Sequence, residues 1–333
     1  MSTNANSDNV ETESTGADTD ARGEQEPGVD QDGVDIATEG EQEESAVTES
    51  PETEFGIESK EAGQDVAGTV DDANAKEEST VEGPPAKFQA AIQGGKLKTV
   101  LKTLRAIVDE ARIHIDKNGI SMRAVDPANV AMDDLDLNAA AFESYDATPG
   151  IVGVDLGRFA DVVGMANKDD LVQLSFDQQT RKLVIHVDDV EFTMACLNPK
   201  TIRAEPEIPD LDHPAEVTIS RDALDRGVKA ADMVSDHIRF TMDDVPELFS
   251  IEAEGDTDDV SLEIDSEDLE DVTAADAEGL FSLDYLKDIV RTIPKGTAVR
   301  MTFGTDLPVI MAYELADGDG QVNRMLAPRI RTD

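Results

Sequence analysis

The sequence predicts an α+β protein built from two similar halves, each made of antiparallel strands and two helices. Segments in which apolar and polar residues alternate indicate the strands, and apolar residues spaced three and four apart indicate the helices. Matching apolar positions in the two halves are separated by a constant 127 residues. Leu97, Leu101 and Leu104 match Leu224, Val228 and Ala231, and LSF at 174–176 matches MTF at 301–303. One separation shared over about 80 residues predicts a duplicated domain rather than a short repeat.

The elements follow the same order in each half. A helix is predicted first, and the strand segments ARIHID, GISMRAV and AMDDLDL follow it. Their counterparts after the matching helix are HIRFTM, LFSIEA and VSLEI. A second helix then begins near Leu156 and its match near Leu283, and strand pairs such as LVQLSFD and KLVIHV come after it. Strands separated by turns, with few helices, predict antiparallel sheets.

Changes in composition divide the chain into four segments. Residues 1–86 hold 25 acidic and 3 basic residues, and we expect this N-terminal tail to be disordered because it has too little apolar surface to offset chain entropy. The two halves are predicted at 87–197 and 216–333. Between them, 198–215 contains four prolines, which favour an extended, exposed connector without helix or central strand. No secretion signal or membrane span is recognisable, so we expect a cytoplasmic protein without a membrane partner.

The charge of the chain is strongly acidic. The net charge is −46, and 87–333 alone has 25 basic and 49 acidic residues. Such a domain repels itself unless salt is concentrated, since the screening length falls to about 3 Å near 1 M. A salt-loaded cytoplasm, as in a halophilic microbe, is the favoured explanation, and an acidic protein from an ordinary cell is the alternative. The single Cys196 excludes an intramolecular disulfide and fits a small buried hydrophobe.

Against this background one helix carries a basic ridge. Lys98, Lys102 and Arg105 fall at helical spacing on one face, opposite the apolar stripe. Arg226 and Lys229 occupy a similar face in the matching helix, and Lys287 and Arg291 share a face of the last helix. Solvated helix faces would be the ordinary explanation. Basic faces on three of four equivalent helices, in an acidic domain, instead favour a polyanion such as nucleic acid as the partner.

No motif predicts an enzyme. The four histidines are scattered without metal-ligand spacing, the GGK at 94–96 lacks the rest of a phosphate loop, and Ser261 occupies the position where a calcium loop requires glycine. We therefore expect no catalytic residue, no metal and no cofactor.

Four motifs resemble the proliferating cell nuclear antigen family of sliding clamps, most closely its archaeal members. They are GISMRAVDPANVAMDDLDL (119–137), AADMVSDHIRF (230–240), FSLDYLKDIVRTIP (281–294) and MLAPRI (325–330), and the resemblance covers about 88–330. The family implies the DNA clamp fold, with three identical subunits in a ring around double-stranded DNA, helices inside and sheets outside. The resemblance implies a DNA-facing set: Lys98, Lys102, Arg105, Arg158, Arg226, Lys229, Lys287 and Arg291.

The family also implies a processivity factor for DNA replication and repair. It would bind a clamp loader, and it would bind DNA polymerase, flap endonuclease and ligase through short peptide motifs. The residues implied for the peptide pocket are Val125, Asn129, Val130, Met132, Ile202, Ile208, Pro209, Pro308, Met325, Leu326, Ala327 and Pro328. Those implied for the subunit interface are Glu191, Phe192, Met194, Cys196, Asp258, Val260, Leu262 and Ile264. The family implies a cytoplasmic protein that associates with the nucleoid. A heteromeric clamp-like checkpoint or repair scaffold is the alternative function.

Overall fold

The computed structural model describes residues 83–265 and 269–329. The tail predicted over 1–86 therefore lies outside the described residues except for its last four. In the first half the elements are β1 (Phe88–Gln93), α1 (Gly94–Leu104), β2 (Glu110–Asp116), β3 (Gly119–Val125), β4 (Ala131–Asn138), β5 (Ser144–Ala147), β6 (Gly150–Asp155), α2 (Leu156–Val163), β7 (Leu171–Asp177), β8 (Lys182–Val187) and β9 (Val190–Ala195). In the second half they are β10 (Ala215–Ser220), α3 (Arg221–Ala231), β11 (His237–Asp243), β12 (Leu248–Glu254), β13 (Asp259–Asp265), β14 (Val272–Thr273), β15 (Ala277–Ser282), α4 (Leu283–Thr292), β16 (Ala298–Phe303), β17 (Val309–Leu315) and β18 (Gly320–Leu326).

The structure confirms the duplicated α+β architecture. The strands β1 and β10, the helices α1 and α3, and the helices α2 and α4 each begin 127 residues apart. Strand pairing repeats as well, since His114 of β2 lies opposite Ser121 of β3, and the matching Thr241 of β11 lies opposite Ser250 of β12. The periodicity predicted both the elements and their equivalence.

The described strands form three antiparallel sheets, one of which spans both halves. The first half has the sheet β5-β1-β7-β8-β9, and the second half has the sheet β13-β12-β11-β15. The third sheet has the order β14-β10-β16-β17-β18-β4-β3-β2-β6. Its two parts meet where β18 pairs with β4, from Gly320 opposite Leu137 to Leu326 opposite Ala131. This internal seam makes one continuous layer of the two halves.

The helices pack their apolar stripes onto the sheets. In α1 the stripe of Leu97, Val100, Leu101 and Leu104 is buried, as the spacing predicts. Side chains cap two helices at their N-termini: Arg158 N donates to Asp155 Oδ1 (2.9 Å) before α2, and Ala223 N donates to Ser220 Oγ (3.2 Å) before α3. None of the described helices is long and apolar enough to cross a membrane.

A buried ion pair crosses the internal seam. Arg324 of β18 and Asp133 of β4 are both fully buried and lie opposite each other in the strand register. The guanidinium donates to both carboxylate oxygens, with Nη2 at 2.6 Å from Oδ2. It also donates to Thr103 O near the end of α1 (2.8 Å) and to Thr292 Oγ1 at the end of α4 (3.1 Å). One side chain thus joins two strands and two helices from both halves.

The connector departs in one respect from the expectation of an extended segment. A single 3₁₀ turn runs over Pro199–Thr201, which is possible because proline fits the first position of a helical turn. The following residues up to β10 are irregular, as the prolines predict. Arg112 Nη2 donates to Ile202 O (2.6 Å), and His114 Nε2 lies 2.5 Å from Glu205 Oε1. The connector is therefore held against β2.

Two segments cover the outer edge of β6. Ile151 N donates to Gly83 O (2.8 Å), and Leu197 N donates to Gly153 O (2.8 Å). Gly150 permits the close approach, because a Cβ there would lie 2.1 Å from Pro85 N. The described contacts thus include Gly83, four residues before the first predicted domain.

Candidate nucleic-acid interface and peptide pocket

The first-half members of the DNA-facing set have neutral partners or none. Lys98 Nζ donates to Gly164 O (3.1 Å) and to Ala166 O, beyond the C-terminal end of α2. Lys102 Nζ donates to Arg291 O (2.5 Å), in the last turn of α4. Helix C-termini attract cations because unpaired carbonyls concentrate partial negative charge there. Arg105 and Arg158 are exposed, and within the described ranges none of these four side chains pairs with a carboxylate.

The second-half members mostly carry carboxylate partners. Lys229 Nζ lies 2.7 Å from Asp225 Oδ2, and Arg291 Nη1 lies 3.1 Å from Asp288 Oδ1. Lys287 Nζ lies 2.9 Å from both Asp232 and Asp284, and hydrogen bonds to these two carboxylates raise the lysine pKa. Of this half's set only Arg226 lacks an ion pair with another described residue. The predicted basic faces on α3 and α4 are therefore close to neutral.

A cleft of about 450 Å³ brings four of the predicted cations together. It opens between the C-terminal ends of α1 and α4, and Lys98, Lys102, Arg105 and Arg291 line it beside Asp288. These residues come from both halves, so the cleft exists only because the internal seam places α1 beside α4. Its ammonium and guanidinium donors suit phosphate oxygens.

Most residues of the predicted peptide pocket lie near the ends of β3, β4 and β18. Asn129 occupies the turn between β3 and β4 with a φ of 58°, a conformation that asparagine tolerates. Met132 of β4 lies opposite Met325 of β18, and Ala327 N donates to Val130 O (2.8 Å). The remaining members here are Val125 at the end of β3, Pro308 before β17, and Pro328 after β18.

A carboxylate organises the turn beside this pocket. Asp126 Oδ1 accepts from Val130 N and Ala131 N (both 2.7 Å), and its Oδ2 accepts from Tyr285 Oη of α4 (2.6 Å). Burial alone would raise the pKa of Asp126, but these hydrogen bonds hold it below the ordinary value. The Asp126 carbonyl also accepts from Arg203 of the connector (2.8 Å). Turn, α4 and connector therefore meet at one residue.

The predicted pocket residues differ in exposure. Leu326 is fully buried, Ile202 is 6% exposed and Met132 is 7% exposed, so we expect these three to support the surface from below rather than contact a peptide. Ile202 packs against Gly153 of β6. By contrast, Ile208 is 43% exposed and Pro209 is exposed on the irregular part of the connector. A cleft of about 690 Å³ runs beneath the connector, bordered by Val125 and Arg203.

Comparison with known proteins assigns this arrangement to a family. Residues 86–198 match the N-terminal domain of proliferating cell nuclear antigen. The DNA polymerase sliding clamp of Natronomonas pharaonis is 50% identical over 246 residues, covering 74% of this chain and all of the relative, and that of Haloarcula marismortui is 49% identical with the same coverage. The chain belongs to the proliferating cell nuclear antigen family of DNA polymerase sliding clamps. A solved structure titled "C-terminal region of FEN-1 bound to A. fulgidus PCNA" aligns with a TM-score of 0.71 and 35% identity, over 74% of this chain and all of that one.

In this clamp the predicted interface residues lie on two strands at sheet edges. Glu191, Phe192 and Met194 belong to β9, and Val260, Leu262 and Ile264 belong to β13. Cys196 follows β9, and Asp258 precedes β13. Met194 and Ile264 point into the core, whereas Glu191 and Asp258 are exposed. Burial raises the pKa of the Cys196 thiol to about 11, so the thiol stays protonated at neutral pH.

Two groups of residues in the clamp were not predicted from the sequence. One is the Asp126–Tyr285–Arg203 cluster, for which the Asp-Pro pair in VDPANV signals only a turn. The other is the Arg324–Asp133 pair, which no local pattern marks. The described residues contain no cluster of three His, Cys, Asp or Glu side chains that could hold a metal ion.

Proposed function

We propose that three copies of this clamp close into a ring around duplex DNA and tether replication and repair proteins to it. The observation that carries the proposal is the internal seam between β18 and β4. The duplication makes β9 the counterpart of β18, and β13 the counterpart of β4. Among the described strands, β9 and β13 each end a sheet. The same pairing can therefore recur between β9 of one copy and β13 of the next.

The duplication gives this proposed pairing a register. Met301 and Leu174 are equivalent and pair with Met311 and Ile185, which makes Val309 the counterpart of Leu183. Their partners in the next strand, Leu326 and Met194, are therefore equivalent, and both are fully buried. Ala131 and Asp258 are equivalent by the separation of 127. Transferring the Leu326–Ala131 pair then places Met194 opposite Asp258 of the next subunit, and Thr193 opposite Asp259. In such pairing the backbone hydrogen bonds satisfy two sheet edges that would otherwise be open.

Encirclement suits the charge of this protein better than tight binding does. A protein that neutralises about six phosphates loses roughly 10⁵-fold in affinity for each tenfold rise in salt. A ring needs no such affinity to stay on DNA. The basic residues of the DNA-facing set would centre the duplex, and their small number favours sliding.

We propose that the surface around Val125, Asn129, Met325 and Pro328 binds the short peptide motifs of partner proteins. The C-terminal region of FEN-1 bound to the related A. fulgidus PCNA supports a peptide partner. DNA polymerase, flap endonuclease and ligase are the proposed partners, with a clamp loader that opens the ring. We further propose that 87–197 and 216–333 act as the two domains and 198–215 as the connector, and that DNA binding places the clamp at the nucleoid.

The test combines mass and topology. Sedimentation of residues 83–333 should give three subunits at about 2 M KCl and smaller species at about 0.2 M, because acidic edges lose screening. Rings loaded on circular DNA at high salt should stay bound until the circle is cut, and then slide off. A single subunit at both salt concentrations would overturn the homotrimer and favour a heteromeric ring. Release that is independent of cutting would overturn encirclement.

A further inference from the structure

The four helices differ in charge more than their shared position suggests. Helix α1, GGKLKTVLKTL, contains three lysines and no acidic residue, and Arg105 follows it. Lys96 pairs with Asp317 (3.2 Å), so Lys98, Lys102 and Arg105 carry the uncompensated charge of this helix. Helix α2 has one basic and one acidic residue, and α4 has two of each. Helix α3 has three basic and two acidic residues, with Asp232 directly after it. Only α1 therefore brings a substantial positive charge to its subunit.

The contacts divide the helices in the same way. Lys98 and Lys102 donate to neutral carbonyl oxygens, so their positive charges are not cancelled. Lys229, Lys287 and Arg291 lie against carboxylates, which makes each of these groups neutral or negative as a unit. Among the described residues, α2 and α3 each keep one cation of the set without a carboxylate, Arg158 and Arg226, against three on the α1 ridge. At about 1 M salt the screening length is about 3 Å, so a neutral pair exerts almost no force on a phosphate a few ångströms away. Cations without carboxylates, reached by direct contact, dominate the attraction under these conditions.

We infer that each subunit holds the DNA backbone mainly with one sector, the ridge of Lys98, Lys102 and Arg105 on α1 together with the cleft between α1 and α4. The near-neutral faces of α3 and α4 are walls past which the duplex slides. A ring of three subunits then offers three phosphate-binding sectors, not the six that equivalence of the helices predicts. This inference rests on the proposed function, because it requires the helices to line the hole.

The cleft fits a phosphodiester group at this position. It places the ends of Lys98, Lys102 and Arg105 around one opening, and the second half adds only Arg291, which already contacts Asp288. Arg105 is exposed and has no ion pair with any other described residue, so its guanidinium can bind a phosphate through two N–H groups. The matching position on α3 is Asp232, which would repel the same group.

Two matched double variants test whether each subunit binds DNA through the α1 sector alone or through the α3 and α4 faces as well. Lys102→Gln with Arg105→Gln removes two positive charges from the α1 sector, and Lys229→Gln with Lys287→Gln removes two from α3 and α4 outside the cleft. Lys102→Arg with Arg105→Lys retains the charge and controls for altered packing. The readout is the dissociation constant for a short, blunt, fluorescent duplex DNA, measured from about 0.4 to 1 M KCl, with trimer mass confirmed by sedimentation at each concentration.

The α1 variant should weaken binding and flatten the salt dependence. Loss of about six phosphate contacts per ring predicts roughly fortyfold weaker binding at about 0.5 M KCl and little difference near 1 M. The α3–α4 variant should stay within about twofold of the wild type, and the charge-retaining variant should match the wild type. Equal weakening by the two neutralising variants, or an unchanged slope for the α1 variant, would overturn the inference while retention on circular DNA still supports the ring. Loss of that retention in the wild-type protein would instead overturn the proposed function.

Discussion

The stability of the internal seam should depend strongly on both members of the buried Arg324–Asp133 pair. Arg324→Met leaves the Asp133 carboxylate fully buried without a cation and removes donors from Thr103 O and Thr292 Oγ1. Removing one partner of a buried pair costs about 3–5 kcal/mol of unfolding free energy. Adding Asp133→Leu removes the stranded charge, and the unpaired oxygens then cost about 1 kcal/mol each. The double variant should therefore recover more than half of the loss.

Urea unfolding at constant high KCl and constant protein concentration measures this difference. Fixed protein concentration matters because association contributes to the apparent stability. Salt should not reduce the cost of the single variant, since buried charges are poorly screened. A cost below about 1 kcal/mol for Arg324→Met, or a double variant no more stable than the single one, would refute the reasoning that a stranded charge causes the loss.

Three other predictions concern the pocket, the subunit edges and the tail. Because the folded-state pKa of Asp126 is lowered, its stabilising contribution is complete above the unfolded value and is lost as pH falls below about 4. Asp126→Asn should reduce this acid sensitivity in urea titrations, and an unchanged pH profile would contradict it. Asp258→Asn with Asp259→Asn should keep the trimer intact to lower KCl in sedimentation, since each relieved repulsion is worth about 0.5 kcal/mol. The exposed Glu247→Gln is the control. An equal shift in the KCl concentration at which the trimer dissociates would attribute the effect to net charge alone. Residues 83–333 should stimulate DNA polymerase as the full chain does, whereas a large loss would assign the tail a role.

The duplication and the helices were predictable because their signals are local or repeated. The apolar stripe of α1 has helical period, and a constant separation of 127 extends the assignment to α3. One pairing on α3 was also legible, because Asp225 precedes Lys229 by four residues and the two face each other on a helix. The sequence therefore contained part of the reason why the second half is nearly neutral.

The remaining features depend on contacts between distant segments. Lys287 meets Asp232 across two helices, and Arg324 meets Asp133 across strands 191 residues apart. An arginine in the middle of a strand normally indicates that the strand face is exposed. Arg324 is nevertheless fully buried, and the Asp133 carboxylate opposite it balances its charge. Similarly, the connector gave no sign that Arg203 would reach the Asp126 turn.

The seam between β18 and β4 has a consequence for the number of subunits. A head-to-tail contact gives a closed assembly only when the rotation it imposes divides a full circle, and otherwise it generates a helical filament. In the proposed ring half of the joints lie inside the chains, so the angle at the β18–β4 joint, stiffened by Arg324, contributes half of the total curvature. Substitutions that flatten this joint should therefore produce open spirals or fibres, even with the β9 and β13 edges untouched.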